Sequence, residues 1–300
     1  MESSSLNRGE LLPDANPPAA RPLNAQHRHR SFVHRSHRLA YEVHGSGDRL
    51  IVYMHGLLLD AGLNRGIAEV LAARGNRVVL FDLLGHGRSD RPTHASDYRM
   101  DLYVDQLIAL LDELGAPEAV LGGLSLGANV SLLTAVRSPG RVRGLVLEMP
   151  VMEWAAPAVA MTFVPLVLML RYASAPARLI TGIVRSMPRS GFGPLDSVLG
   201  AASMEPVQMA AVLHGVLLGP VAPTIEERQA MNRPTLILAH RADLIHPFDD
   251  AINLARQLPN ARLVPTRSAL ELRLRPMRLT REIAKFVDGL WDDGGAAQRS

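Results

Sequence analysis

The sequence predicts an α/β protein built on one mostly parallel sheet, with a helical segment inserted late in the chain. Short apolar runs alternate with helix-like segments from about residue 39 to residue 147. A Gly-x-Ser-x-Gly sequence, residues 123–127, stands between one apolar run and one helix-like segment. The alternation then stops over residues 150–233, where the chain is helix-like, Met-rich and punctuated by Pro, and it resumes after residue 234.

The apolar runs are short enough to be strands and are separated by turn residues or by helical periodicity. The predicted strands are residues 39–43, 51–54, 78–81, 119–122, 142–147, 235–239 and 261–264. The predicted helices of the alternating part are residues 60–74, 98–114, 125–136 and 279–291. Strands that alternate with helices favour a parallel sheet that is covered on both faces.

Length and composition favour one large domain over two equal ones. A chain of 300 residues with 47% hydrophobic content can bury one large core. We therefore predict a basic N-terminal tail over residues 1–28, a core made of residues 29–149 and 234–300, and a helical cap over residues 150–233. The tail holds four prolines and little apolar periodicity.

Composition also excludes several classes of function. The chain has no cysteine, so disulfides, thiolate metal sites and cysteine nucleophiles are excluded. The net charge is +3, nearly all of the positive charge is arginine, and aromatic residues make up only 4% of the chain, which does not favour nucleic-acid binding. The N-terminus lacks the apolar segment of a secretory signal, and no uninterrupted apolar run reaches the roughly 18 residues of a membrane span. The expected location is the cytoplasm.

Four histidines lie among the arginines near the N-terminus: His27, His29, His34 and His37. They could hold a metal ion, or they could belong to a solvated basic arm that runs into a first strand. The arm is the simpler interpretation, and no metal or other cofactor is expected.

The Gly-x-Ser-x-Gly segment predicts a nucleophilic serine. A serine on a sharp strand-to-helix turn has its Oγ pushed out of the strand end, and glycines two residues to either side let strand and helix pass closely. The backbone N–H of Leu126 would stand at the helix N-terminus, where it can stabilise a negative oxygen. Ser125 is therefore the candidate nucleophile, and Leu126 is a candidate oxyanion donor.

Two further motifs stand in the expected order before Ser125. His55-Gly56-Leu57-Leu58 follows an apolar strand, and residues 82–90 contain Asp-x-x-Gly-x-Gly-x-Ser after the next strand. The arrangement resembles the α/β-hydrolase superfamily, in particular its cap-bearing esterase, lipase and epoxide-hydrolase-like branch, over roughly residues 31–292. The resemblance implies an eight-stranded, mostly parallel sheet with an inserted helical cap. It also implies that Leu57 donates the second oxyanion N–H and that His55 holds the turn.

The resemblance also indicates the acid of a catalytic triad. After the strand at residues 235–239, Asp243 and Pro247 match the family pattern Gly-x-x-Asp-x-x-x-Pro, although His240 replaces the glycine. A carboxylate there would fix the tautomer of a catalytic imidazole and stabilise its charged form. Glu148, at the end of the strand after Ser125, is a rival, because some branches place the acid there.

The chain departs from the family at the catalytic base. All eleven histidines lie at or before His246, and the expected histidine position falls near Ala269 or Leu270. Three explanations stay open: a base from elsewhere, weak water-assisted hydrolysis, or a protein that keeps its pocket only for binding. For the first, His246 is the best placed by sequence, while His214 and Glu271 are the other candidates.

The expected function is hydrolysis of an ester or related acyl bond in a small hydrophobic molecule. Epoxide hydrolases and dehalogenases of this fold use an aspartate nucleophile, so Ser125 argues against both. The apolar, Met-rich stretch at residues 161–170 could line a pocket for an acyl group, could pack on the core, or could dock on a membrane surface. The alternative is a non-catalytic binding or scaffold protein. Acyl transfer to another acceptor would use the same residues, and the oligomeric state is left open.

Overall fold

The centre of the molecule is an eight-stranded sheet. A computed structural model describes residues 28–243 and 245–296. Along the sheet the strands lie in the order β1-β2-β4-β3-β5-β6-β7-β8. β1 and β2 pair antiparallel with each other, and β2 pairs antiparallel with β4, whereas all other neighbours are parallel. The strands are β1 Arg28–His34, β2 His37–His44, β3 Arg49–Met54, β4 Asn76–Asp82, β5 Ala119–Leu124, β6 Val142–Glu148, β7 Thr235–His240 and β8 Ala261–Thr266.

Helices cover both faces of this sheet, as the near-continuous apolar runs of the central strands require. On β3, for example, Val52 and Met54 belong to one buried cluster, whereas Ile51 and Tyr53 belong to the other. Helices α2 and α3 cover the first face with α9, and α1 and α11 cover the second. These helices are α1 Arg65–Ala72, α2 Met100–Glu113, α3 Leu126–Arg137, α9 Phe248–Gln257 and α11 Met277–Ala296, with the short α10 Glu271–Leu274 before α11.

Between β6 and β7 the described chain forms only helices. They are α4 Ala156–Tyr172, α5 Ser174–Ser186, α6 Gly193–Ala202, α7 Pro206–Val216 and α8 Ile225–Ala230, after a 3₁₀ turn at Glu153–Ala155. We call residues 149–234 the helical insertion. It has a small apolar core of its own, formed by Leu170, Ala177, Met204, Met209 and Leu213. Both α4 and α5 pack on α7 and on each other.

Two sets of hydrogen bonds, made by Asn129 and Asp250 and called clamps below, connect the insertion to the core. The amide of Asn129 on α3 donates to the carbonyls of Val151 (2.6 Å) and Val221 (2.8 Å), and it accepts from the N–H of Val151 (2.9 Å). The buried carboxylate of Asp250 on α9 accepts from three backbone N–H groups, those of Met152, Trp154 and Ala155. These bonds satisfy buried polar groups and fix where the insertion leaves the sheet.

The predicted fold class is confirmed, with local differences. The basic arm enters β1, which completes the eight strands, while residues 1–27, and His27 with them, lie outside the described residues. The predicted helix over 60–74 is in fact a 3₁₀ turn at Ala61–Asn64 followed by α1, because the Asp60 carboxylate accepts from the N–H of Gly62 (2.9 Å) and starts a tight turn. Helix α9 is not among the helices predicted from the sequence.

Candidate active site

Ser125 stands at the sharp turn between β5 and α3. Its φ of 51° and ψ of −104° place a non-glycine residue in a strained region of backbone space. A Cβ on Gly123 would lie 2.6 Å from the carbonyl oxygen of Met54, and one on Gly127 would lie 2.7 Å from the Cβ of Met54. The two glycines are therefore needed because β5 and α3 pass against β3 too closely for any side chain.

His246 contacts Ser125 directly. The Nε2 atom of His246 lies 2.9 Å from the Oγ of Ser125, across 121 positions of sequence. The imidazole sits on the loop between β7 and α9, and only 16% of its side chain is exposed. The contact has the length at which a base can take a hydroxyl proton.

Asp243 lies on the same loop, three residues before His246. Its Oδ1 accepts from the backbone N–H groups of Ile245 (2.8 Å) and His246 (2.9 Å), which makes a tight turn. The same oxygen lies 3.2 Å from Nδ1 of His246, at an angle that leaves Nδ1 without a hydrogen-bond partner among the described residues.

The electrostatics of Asp243 favour an anion. Burial raises the pKa of the carboxyl group, but the interactions with the His246 side chain and the two backbone N–H groups outweigh it and lower the pKa to about 2. Asp243 is therefore ionised at neutral pH beside the imidazole. This is the charge state that would stabilise a protonated His246.

The two candidate oxyanion donors line the same cavity as Ser125. Leu126 is the first residue of α3, so its N–H has no acceptor within the helix. Leu57 follows the His55-Gly56 turn, and in the part of the chain that is described its N–H donates to no acceptor. The next residue, Leu58, has a φ of 65°, so this loop is strained as the serine turn is.

His55 is a buried brace for the oxyanion loop. Its Nδ1 donates to the carbonyl of Gly56 (2.8 Å), and its Nε2 accepts from the N–H of Leu83 (3.1 Å). Burial lowers the pKa of His55 to about 4, so the ring is neutral and both nitrogens are occupied. The buried Asp82 holds the next motif by accepting from the N–H groups of Ala61 (2.7 Å) and Arg88 (2.9 Å).

The position at which the family pattern has its histidine lies at the same cavity. Ala269 and Leu270, after β8, line the cavity together with Ser125 and His246. The side chains at the expected position of the base are therefore apolar in this chain. The imidazole of His246, on the loop between β7 and α9, reaches Ser125 instead.

The other predicted candidates do not meet Ser125. His214 is exposed on α7 and lies outside the cavity lining. The carboxylate of Glu271 is occupied by Arg278 and by the N–H of Arg267. Glu148 forms a buried ion pair with Arg273 and accepts from the hydroxyl of Tyr53 (3.2 Å).

A largely apolar cavity opens above Ser125. Its volume is about 480 Å³, which suits a small organic molecule. The insertion contributes Val159 and Phe163 from α4 and Leu213 from α7, and Met149 and Leu59 extend the apolar wall. The polar groups that face the cavity are few: Ser125, Asn129, Asp243 and His246. Asn129 is the one that sequence reasoning missed, since nothing local to it indicates its distant partners.

Comparison with known proteins agrees with this fold. The family model described as alpha/beta hydrolase fold matches residues 49–269. The chain belongs to the α/β hydrolase fold family. Over 105 residues it is 37% identical to the 2-hydroxymuconate semialdehyde hydrolase of Pseudomonas sp. (strain CF600), which covers 35% of this chain and 34% of that protein. The chain thus matches about a third of the length of that relative.

Two longer matches cover most of the chain. It is 28% identical over 234 residues to the AB hydrolase superfamily protein YisY of Bacillus subtilis (strain 168), covering 72% of this chain and 82% of that protein. The structure of the enol-lactonase from Burkholderia xenovorans LB400 superposes with a TM-score of 0.70 and 18% identity, covering 86% of this chain and 100% of that one. The structural likeness shows the shared fold.

Proposed function

We propose that this protein is a serine hydrolase that cleaves an ester or related acyl bond in a small hydrophobic molecule. The observation that supports the proposal most is the 2.9 Å contact between His246 Nε2 and Ser125 Oγ. The family of the chain and the hydrolase names of its relatives support the same class of reaction.

In the proposed reaction, Ser125 Oγ attacks the carbonyl carbon while His246 Nε2 takes the hydroxyl proton. The N–H groups of Leu57 and Leu126 hold the oxygen that becomes negative, and Asp243 stabilises the charged imidazole. The tetrahedral intermediate collapses, and His246 gives its proton to the leaving alcohol. Water, deprotonated by His246, then attacks the acyl-serine and releases the acid and the free serine.

Acid and base would come from a single turn, because Asp243 and His246 are three residues apart. In the family pattern the base instead follows the last strand, where this chain has Ala269 and Leu270. The apolar cavity supports a hydrophobic acyl group, and we propose that the helical insertion acts as its cap.

Hydrolysis of short and medium p-nitrophenyl esters tests the proposal. We expect turnover by the wild type, background rates for Ser125→Ala, and a loss in kcat of about 10⁶ for His246→Ala, as for other triads that lose their base. His214→Ala is the matched control, because that imidazole is exposed and lies outside the cavity lining.

A binding protein without turnover is the second candidate, and the apolar residues at the usual histidine position favour it. It predicts that wild type and Ser125→Ala give the same background rate with every ester. In that case the wild type and Ser125→Ala should both still bind an apolar fluorescent ligand in the cavity.

A further inference from the structure

We propose that the outer face of α4 and α5 docks on the surface of an anionic phospholipid bilayer. This interaction surface is a property of the helical insertion and does not depend on catalysis. Its parts are an exposed apolar face, a row of arginines, and a helix that joins this face to the Ser125 cavity.

The first helix of the face is apolar all round. Its inner side packs on the small core of the insertion through Phe163, Leu166, Val167 and Leu170. The opposite side exposes Met161, Val164, Leu168 and Tyr172, with Met161 and Tyr172 both 79% exposed. The spacing of these four residues is that of one helical face. A helix inside a protein core would have had both sides covered.

The second helix continues the apolar surface. On α5, Leu179, Ile180 and Ile183 are exposed by 68%, 61% and 59%, while Ala177 and Thr181 point inward and are buried. Helices α4 and α5 pack on each other and both pack on α7, and we infer that their exposed sides adjoin. Monomeric soluble proteins rarely expose a contiguous apolar area of this extent without a partner.

The charge of this segment identifies the partner. Residues 154–195 contain four arginines, Arg171, Arg178, Arg185 and Arg189, and no Asp or Glu. The whole chain, by contrast, mixes both signs, with 32 Lys and Arg residues and 29 Asp and Glu residues. Arg185 pairs with the exposed Glu205 at 2.8 Å, whereas Arg171 on α4 and Arg178 on α5 form no ion pair with the described residues. An exposed apolar face with these two arginines beside it, and with Trp154 and Tyr172 at its borders, is complementary to anionic headgroups over acyl chains.

Residues 153–172 are also long and apolar enough to span a bilayer by length and composition, among the residues that the structure describes. The helix α4 continues through Pro165, so it is longer than the apolar run in the sequence suggests. A span would remove Phe163 from the cavity and Leu170 from the core of the insertion, and it would break the Glu153–Arg228 ion pair. Docking along the surface keeps all three contacts.

The position of α4 gives the docking a consequence. Val159 and Phe163 line the Ser125 cavity from the same helix that exposes Met161 and Val164. A bilayer against the outer face would therefore lie one helix away from the cavity.

Vesicle sedimentation with the full chain tests the proposal. The probes are vesicles of phosphatidylcholine alone and of phosphatidylcholine with phosphatidylglycerol. We expect the wild type and Ser125→Ala to bind the anionic vesicles equally. Replacing Leu179, Ile180 and Ile183 by Gln should weaken this binding at least about tenfold, because apolar area is no longer buried.

The matched control carries Val33→Gln and Met277→Gln, which lie outside the insertion and are exposed by 71% and 70%. It should bind as the wild type does. The double variant Arg171→Gln, Arg178→Gln should bind anionic vesicles about 25-fold more weakly, at roughly fivefold per arginine, and added salt should reduce the difference. Melting temperatures establish that each variant is folded.

Several results would overturn the proposal. The wild type could fail to bind anionic vesicles, or the triple variant could bind as well as the control. The protein could resist extraction from vesicles by alkaline carbonate, which would indicate a span. It could also be a dimer that the triple variant dissociates, which would make the face a self-association surface. None of these results depends on ester turnover.

Discussion

The buried ion pair between Glu148 and Arg273 allows a quantitative test of how much Glu148 stabilises the fold. The two side chains are 2% and 3% exposed. Arg273 also donates to Oδ1 of Asn64 (2.7 Å), and the Tyr53 hydroxyl donates to Glu148. The ion pair therefore joins β6, α10 and the segment before α1 beneath the serine turn.

Removing one partner leaves the other charge buried. For Arg273→Met we expect a loss of about 3–5 kcal/mol in the free energy of unfolding. The hydrogen bond that remains, from the Tyr53 hydroxyl to Glu148, cannot replace the positive charge of Arg273. The double variant Glu148→Gln, Arg273→Met should lose only about 1–3 kcal/mol, because it leaves neutral groups unpaired. The double variant should thus be more stable than the single one.

Urea unfolding measures both values, and Arg262→Met is the matched control. Arg262 pairs with Glu282 at 2.8 Å, but its side chain is 50% exposed, so we expect a loss below about 1 kcal/mol. The reasoning is refuted if Arg273→Met costs no more than the control, or if the double variant is less stable than Arg273→Met. At urea concentrations below its unfolding transition, the Glu148→Gln variant should hydrolyse esters within a few fold of the wild-type rate.

Three more predictions concern the site and its clamp. Asp243→Asn should lower kcat by about 10⁴. The pKa of Asp243 in the folded protein is about 2, below the ordinary 3.8, so the wild type should lose on the order of 1–2 kcal/mol of stability as the pH falls from about 4 to 2. Acid unfolding curves of the Asp243→Asn variant should lack this dependence. Adding Ala269→His to His246→Ala should restore about 10²-fold in ester turnover, because residue 269 lines the same cavity; an unchanged rate would contradict this. Asp250→Ala should cost about 2–3 kcal/mol in urea unfolding, since three backbone N–H groups lose their acceptor, and a loss below 1 kcal/mol would contradict the clamp.

The sheet could be predicted from the sequence because its signals are local. Apolar runs such as residues 78–81 and 119–122 have the length and composition of buried strands, and both lie within observed strands. The sharp turn at Ser125 also has a local signal, the Gly-x-Ser-x-Gly sequence itself, although the residue that its glycines approach, Met54, is distant in the chain. The order of the strands is not local: β2 and β3 are consecutive in the chain but lie on opposite sides of β4.

The site was only partly predictable. His246 could be named as a candidate because it follows β7 at the edge where parallel strands end, but its contact with Ser125 depends on the course of a loop. The sequence could not show whether Asp243 or Glu148 is the better candidate for the acid, because Glu148 pairs with Arg273, which is 125 residues away. The exposure of the outer side of α4 also has no local signal, since its inner and outer faces are equally apolar.

The most direct test of the central claim is covalent labelling of Ser125 by a fluorophosphonate, which reports an activated serine without any assumption about the substrate. Intact-mass analysis and peptide mapping should find one adduct, on Ser125. Labelling of His246→Ala should be slower by at least about 10², while His214→Ala labels at the wild-type rate. A wild type that stays unlabelled, or that labels as slowly as His246→Ala, would contradict the account, because Ser125 would then have no working base.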